Sequence, residues 1–166
     1  DIVASESVRL AGDQLNSDIA EYIKEHHGLI IGEHTAERIK IELGTAQKVD
    51  DPQTMEVRGR DVASGMPKQI ETNENEIADA LHDTLEQIVR ASVAVLETVP
   101  PELASDIIDR GIMLTGGTAM LHGIDKLFSD RLKVPVVVSQ DPLDNVAKGA
   151  GELLERMQSD SGKNRK

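Results

Sequence analysis

The sequence predicts an α/β fold, and three observations carry that expectation. The last third alternates short apolar runs, Ile112–Thr115 and Val134–Val138, with stretches of helical character. Runs of that kind suit strands buried on both faces beneath helices. Before them, Ile77, Leu81, Leu85, Ile88, Ser92, Val95 and Leu96 recur at helical spacing. Finally, 39% of the 166 residues are hydrophobic, yet Tyr22 and Phe128 are the only aromatics. The core must therefore be built from Ile, Leu, Val, Ala and Met.

Each element has a local reason. Residues 1–10 place Ile2, Val3, Val8 and Leu10 among small and charged neighbours, as a strand or hairpin arm would. Asp13 is positioned to cap a helix running to about His27, with Leu15, Ile19, Tyr22 and Ile23 on one face. Gly28 follows, where a helix end favours a left-handed residue, and His26 and His27 suit the negative end of the dipole. Thr35 is the expected N-cap of a second helix, Ala36 to Leu43, which stops at Gly44. Arg38 stands at its N3 position, so the reciprocal capping box is missing. Residues 53–61 and 66–71 read as two strands with Gly65 in the turn between them. Asn73, with Glu76 three residues on, starts the long helix that Pro100-Pro101 ends. Pro101 opens a short helix through Ile108. Gly116-Gly117 turn the chain from the strand at 112–115 into a helix expected from Thr118 to Asp130. Asp141-Pro142 begin a closing helix to about Met157, and the polar tail from Ser159 is expected to be disordered.

Composition removes several classes of function. Thirty acidic residues against eighteen basic ones give a net charge of −12, which argues against a broad phosphate-contacting face for nucleic acid. With no cysteine, disulfide frameworks, thiolate zinc sites and cysteine nucleophiles are excluded. No apolar run approaches the ~20 residues of a membrane span, and the start lacks the basic and apolar regions of a secretory signal. The expectation is a soluble cytoplasmic protein, cut from a longer one because it begins at Asp1 rather than Met. The five histidines show no metal-ligand spacing, no serine lies in G-x-S-x-G, and no P-loop is present.

Two motifs are candidates for chemistry. Leu114-Thr115-Gly116-Gly117-Thr118-Ala119 sets two glycines between a buried strand and a helix, where a ligand can approach the backbone and an anion can meet free N–H groups. The same residues also fit a tight turn that needs positive φ. In Thr35–Glu42, Glu37 and Lys40 share a helix face. A carboxylate there can accept from a ribose diol, and a lysine stem can lie along a base. An ordinary solvated ion pair fits them too. The residues alone leave both alternatives open.

Taken in order, longer segments join these pieces: Ser7-Val8-Arg9-Leu10-Ala11-Gly12-Asp13, Ile31 to Gly44, Val57-Arg58-Gly59-Arg60-Asp61, Gly65-Met66-Pro67-Lys68, and Pro100-Pro101-Glu102-Leu103-Ala104-Ser105-Asp106-Ile107-Ile108-Asp109-Arg110 running into Gly111 to Gly117. With them the chain resembles the bacterial actin homologue MreB and its close paralogues over about residues 1–157. The resemblance implies the actin/sugar-kinase/heat-shock ATPase fold, second lobe only. Residues 1–12 and 75–145 would form the inner subdomain (IIA) and 13–74 the outer one (IIB). Residues 146–158 would form a helix returning to the first lobe, and 159–166 a disordered tail.

It also implies nucleotide contacts at Glu37, Arg38, Ile39 and Lys40 on the adenine and ribose side. Gly116, Gly117, Thr118 and Ala119 would contact the nucleotide at the strand–helix turn, with Gly12 near the cleft. The ligand would be ATP, with Mg²⁺ in the intact protein. Hydrolysis would be slow, and no catalytic residue falls in this chain. The implied partners are further copies of itself in head-to-tail filaments, the cell-wall elongation machinery and a membrane-anchored adaptor such as RodZ. The site of action would be the inner face of the membrane, reached through the first lobe, and the role maintenance of rod shape. Two departures stand out: Thr118 where many members have a third glycine, and Asn16 where an acid is usual. The rival readings are an actin-fold kinase or chaperone-type ATPase domain, and an α/β interaction module with no ligand.

Overall fold

A computed structural model describes residues 2–8, 12–145 and 147–152. Helix α1 (Gly12–His27) leads into a two-residue strand β1 (Leu29–Ile30) and helix α2 (Glu33–Leu43). A hairpin of β2 (Thr54–Asp61) and β3 (Pro67–Asn73) follows, then the long helix α3 (Glu74–Glu97) and α4 (Pro101–Arg110). Strand β4 (Ile112–Leu114), a 3₁₀ turn (Gly117–Met120), α5 (Ile124–Leu132) and β5 (Val136–Val138) complete the elements, and residues 142–145 and 147–152 are helical.

Several expectations meet corrections. Residues 2–8 form no strand; Ile2 is 87% exposed, and no described neighbour offers them a ladder. Residues 1 and 9–11, the closing helix beyond 152 and the tail lie outside the described residues. Asp13 sits inside the first turn of α1 rather than capping it; its carbonyl accepts from Ser17 Oγ at 3.0 Å. Gly32, not Thr35, is the N-cap of α2, so that helix begins at Glu33, three residues before the expected start at Ala36. Thr35 N–H already donates to the Gly32 carbonyl at 3.0 Å. The expected helix from Thr118 to Asp130 is broken by Gly123, whose φ of 70° is left-handed, so only α5 is α-helical. Strand β1 was not foreseen, because two residues are too short for a pattern.

Side-chain chemistry accounts for the joints. Gly28 closes α1 with φ 62° and donates its N–H to the Lys24 carbonyl. Asn73 Oδ1 caps α3 by accepting from the N–H groups of Asn75 and Glu76 at 3.0 and 3.1 Å. Glu76 does not reach back to Asn73. It accepts instead from Thr72 Oγ1 at 2.6 Å and pairs with His27 Nε2 at 3.1 Å, tying the hairpin to α1. At the hairpin tip Asp61 Oδ2 accepts from the N–H and Oγ of Ser64, and Lys68 Nζ lies 3.1 Å from Asp61 Oδ1. These partners, Ser64 first, lower the Asp61 pKa to about 2.

The first sheet has the order β1-β2-β3, all antiparallel, with Thr54 opposite Asn73 and Leu29 opposite Asp61. Helices α1, α2 and α3 cover it, burying Leu15, Ile19, Ile23, Ala36, Ile39 and Leu81 with Val57 of β2. The second sheet pairs β4 and β5 in parallel, Ile112 opposite Val136. One apolar cluster spans both: Leu85 and Val89 of α3 continue it to Leu121, Ile124, Leu127 and Phe128. Thr84 Oγ1 adds a 2.6 Å bond to Asp18 Oδ2 across α3 and α1.

Candidate functional site

Between α2 and the glycine turn lies a cleft of about 470 Å³. One wall is the outer side of α2, with Glu37, Lys40 and Ile41; the other is Gly117, Thr118, Met120 and Leu121. Gly12, where α1 begins, forms the floor, and Leu143 stands at the rim. Lys40 Nζ crosses that floor and donates to the Gly12 carbonyl at 3.1 Å. Among the described residues no ion pair joins Glu37 to Lys40, so the pair is not spent on itself; the α2 ion pair is Arg38–Glu42, at 3.9 Å. Ile41, Met120 and Leu143 are 75%, 60% and 60% exposed, an apolar rim around a charged pair. Such a mixture accepts a flat apolar ring on its faces and polar ligand atoms at the carboxylate and ammonium.

The structure gathers five of the nine residues singled out above: Gly12, Glu37, Lys40, Gly117 and Thr118. Helix geometry separates the others. Successive residues of α2 are turned by about 100°, so Glu37 to Lys40 cannot all face one cleft. Arg38 instead lines a polar depression with Thr35, Glu56 and Arg58, and Ile39 is wholly buried in the core. Ala119 is buried and faces Ile88 and Phe128 rather than the cleft. Gly116 makes the turn itself.

The two glycines have different jobs. Gly116 has φ 89° and ψ 171°, a region essentially reserved for glycine, and its N–H donates to the Pro142 carbonyl at 2.7 Å. Gly117 is not left-handed, and a Cβ there would meet only Leu143 Cδ2, at 3.6 Å. The positive-φ demand thus falls on Gly116, and the open backbone facing the cleft is Gly117. The element that follows is a four-residue 3₁₀ turn, which offers less aligned dipole to an anion than the α-helix expected from the sequence.

Ile41, Met120, Leu121 and Leu143 line the cleft without having been singled out in the sequence. For Ile41 a signal existed: it lies off the buried stripe of Ala36, Ile39 and Leu43, so a helix on a soluble surface would not be expected to carry an isoleucine there. Among the described residues no group of three or more acidic or histidine side chains is placed to hold a metal ion, and no helix is long and apolar enough to cross a membrane. Glu37 is the one carboxylate on the described cleft walls, a donor set that does not fit a Mg²⁺ shell on its own.

Known proteins share this sequence and fold. The sequence model of the MreB/Mbl protein family matches residues 1–162. Cell shape-determining protein Mbl of Bacillus subtilis is 46% identical over 157 residues, 95% of this chain and 47% of that protein. Cell shape-determining protein MreB of Escherichia coli is 47% identical over 161 residues, 97% of this chain and 46% of that protein. The chain spans about half the length of the curated relatives it matches. MreB5 of Spiroplasma citri, solved bound to AMPPNP, superposes with a TM-score of 0.90 at 34% identity over 99% of this chain and 49% of that one. The MamK double helical filament subunit superposes with a TM-score of 0.69 at 19% identity, over 87% of this chain and 44% of that one, a likeness of fold.

Proposed function

This chain belongs to the MreB/Mbl family of actin-like, cell shape-determining proteins, and we propose that it forms the adenosine-binding side of an ATP cleft in a filament-forming cytoskeletal protein. The observation that carries the reading is convergence. Gly12, the Glu37–Lys40 pair and Gly117–Thr118 are far apart in sequence and line one cleft. The S. citri relative solved with AMPPNP, and again with ADP, supports a nucleotide as the occupant.

In this reading the base lies against Ile41, Met120 and Leu143. Glu37 accepts from the ribose hydroxyls, and Lys40 donates to a ribose oxygen. Gly117, lacking a side chain, lets the ligand approach the turn. Ile39, Gly116 and Ala119 act behind this surface, holding α2 and the turn in place, while Arg38 lies outside it on the polar depression with Glu56 and Arg58. The phosphates and Mg²⁺ are held by residues outside this chain, as is the group that positions the attacking water. What Mg²⁺ would supply is charge neutralisation on the phosphates.

Residues 13–74 are proposed as the outer subdomain, with 1–12 and 75–145 as the inner one. Head-to-tail stacking of such lobes is heterologous and does not close, which builds filaments; that MamK, which shares the fold, forms a double helical filament supports self-association. Slow hydrolysis would serve filament turnover. At the inner face of the membrane, the filament would organise the cell-wall elongation machinery with an adaptor such as RodZ and so maintain rod shape.

Titration calorimetry tests the cleft. The full-length protein is expected to bind ATP. This chain alone is expected to bind it weakly or not at all, because the phosphate contacts are missing. Micromolar ATP binding by the chain alone would overturn the two-lobe reading.

A further inference from the structure

We propose that the backbone bridge between Gly44–Ala46 and His122 positions the two walls of the cleft, with Thr45 and Gly44 as its positioning residues; the proposal rests on the nucleotide reading above. Both walls end at this bridge. Helix α2, with Glu37, Lys40 and Ile41, stops at Leu43, and the 3₁₀ turn stops at Met120. Apart from the bridge, α2 packs on α1, α3 and β2, whereas the turn packs on α5.

At the bridge Thr45 and His122 pair in parallel. His122 N–H donates to the Gly44 carbonyl at 3.1 Å, and Ala46 N–H donates to the His122 carbonyl at 2.8 Å. Thr45 is 1% exposed. Its hydroxyl lies 2.8 Å from the Gln47 carbonyl and 3.3 Å from the His122 carbonyl, so one donor spans both sides of the junction.

Gly44 is held to glycine by space rather than by backbone angle. Its φ of −65° and ψ of 113° suit any residue. A Cβ there would overlap the Lys40 carbonyl oxygen and lie 2.6 Å from Leu121 Cδ2. Leu121 is itself a wall residue, so its side chain is seated directly on the backbone that ends the opposite wall. The distance between Lys40 and Thr118 is therefore set by a backbone junction that no ligand touches, and the ligand meets a cleft of fixed width. A preformed width spares the ligand the ordering cost of closing the two walls around it.

The test uses the full-length protein with Thr45→Val, Thr45→Ser and His122→Ala, in two measurements. The first is amide hydrogen exchange at Ala46 and His122, with Leu81 in the core of α3 as the internal standard. The second is the Kd of a fluorescent ATP analogue. Thr45→Val is expected to speed exchange at the two bridge amides about tenfold, leave Leu81 unchanged, and weaken nucleotide binding roughly five- to tenfold, the size of one lost buried hydrogen bond. Thr45→Ser restores both. His122→Ala changes neither, because the bridge uses only the His122 backbone.

Unchanged bridge exchange in Thr45→Val overturns the proposal, and so does faster exchange with unaltered nucleotide affinity. Loss of affinity in His122→Ala overturns the backbone assignment. If the wild-type protein binds no nucleotide, the nucleotide reading fails and the exchange measurement alone decides the bridge. Thr45→Ala substitutes if Thr45→Val does not fold.

Discussion

Replacing Lys40 with alanine removes an ammonium and its aliphatic stem from one wall of the cleft. In the folded chain Nζ donates to the Gly12 carbonyl at 3.1 Å, and the side chain is half-buried. A charge-assisted bond to a carbonyl at a partly exposed site contributes about 1 kcal/mol. Removing it should lower stability by that amount, with a few tenths more from the stem's apolar packing. The effect on a bound nucleotide is separate. One charge-assisted contact to a ligand oxygen is worth about 1–2 kcal/mol, or roughly a five- to thirtyfold rise in Kd. Lys40→Met keeps the stem and loses the charge, so it should show the full affinity loss with a smaller loss of stability. Glu37→Ala should weaken binding by a similar amount, and the double variant should cost less than the sum, because both residues contact one ligand. Calorimetric titration of ATP into the full-length protein, beside thermal melting of each variant, measures the two effects independently. A lower melting temperature with Kd changed less than twofold would refute the reasoning and leave Lys40 as a tie between α2 and α1.

Four further outcomes follow from particular contacts. Gly116→Ala should destabilise the fold by about 1–3 kcal/mol, the cost of a side chain at φ 89° and ψ 171°, whereas Gly117→Ala should melt near the wild type. Gly117→Val should fold and still lose nucleotide binding, which pairs a thermal melt with a binding titration. Asn73→Ala should cost about 1 kcal/mol through loss of the α3 cap, read from the denaturation midpoint. The Asp61 carboxylate, with its pKa lowered to about 2, stabilises the hairpin tip fully above its ordinary value of 3.8. That stabilisation is lost as pH falls from about 4 through about 2. The Ser64 amide resonance should shift across that window in the wild type and stay flat in Asp61→Asn.

Long elements with strong periodicity were legible in the sequence. Helix α3 follows from Asn73, Glu76 and the stripe from Ile77, and Pro100-Pro101 mark its end. The hairpin follows from Gly65, whose φ of 71° allows the turn. Boundaries governed by backbone rather than side chains were not legible. Thr35 has the chemistry of a cap, yet Gly32 takes the position, because the entry of α2 is set by the strand before it. Gly123 breaks the expected helix after Gly117 because His122 is drawn into the junction with Thr45, a contact 77 residues away in sequence. In the cleft, charged and glycine residues announce themselves by type, whereas Met120 and Leu143 look like core residues until the fold exposes them, and Leu121 is a core residue that also lines the cleft. Arg38, Ile39 and Ala119 show the converse, lying away from the cleft that their motif neighbours line, because adjacency in a motif is not adjacency in space.

Helix α3 has a thermodynamic consequence beyond the cleft. It contributes Ile77, Leu81 and Leu85 beside α1 and Val89 beside Phe128, so the two sheets share one apolar cluster through a single rod. Neither sheet can unfold without uncovering part of the other's interior. Heating should therefore produce one calorimetric transition, with the van't Hoff and calorimetric enthalpies in agreement. Helix α4 stands outside that cooperative unit, since none of its residues is buried. It should open at lower cost than α1, α2, α3 and α5, each of which buries side chains in the core, and its amides should exchange faster than theirs in the native state.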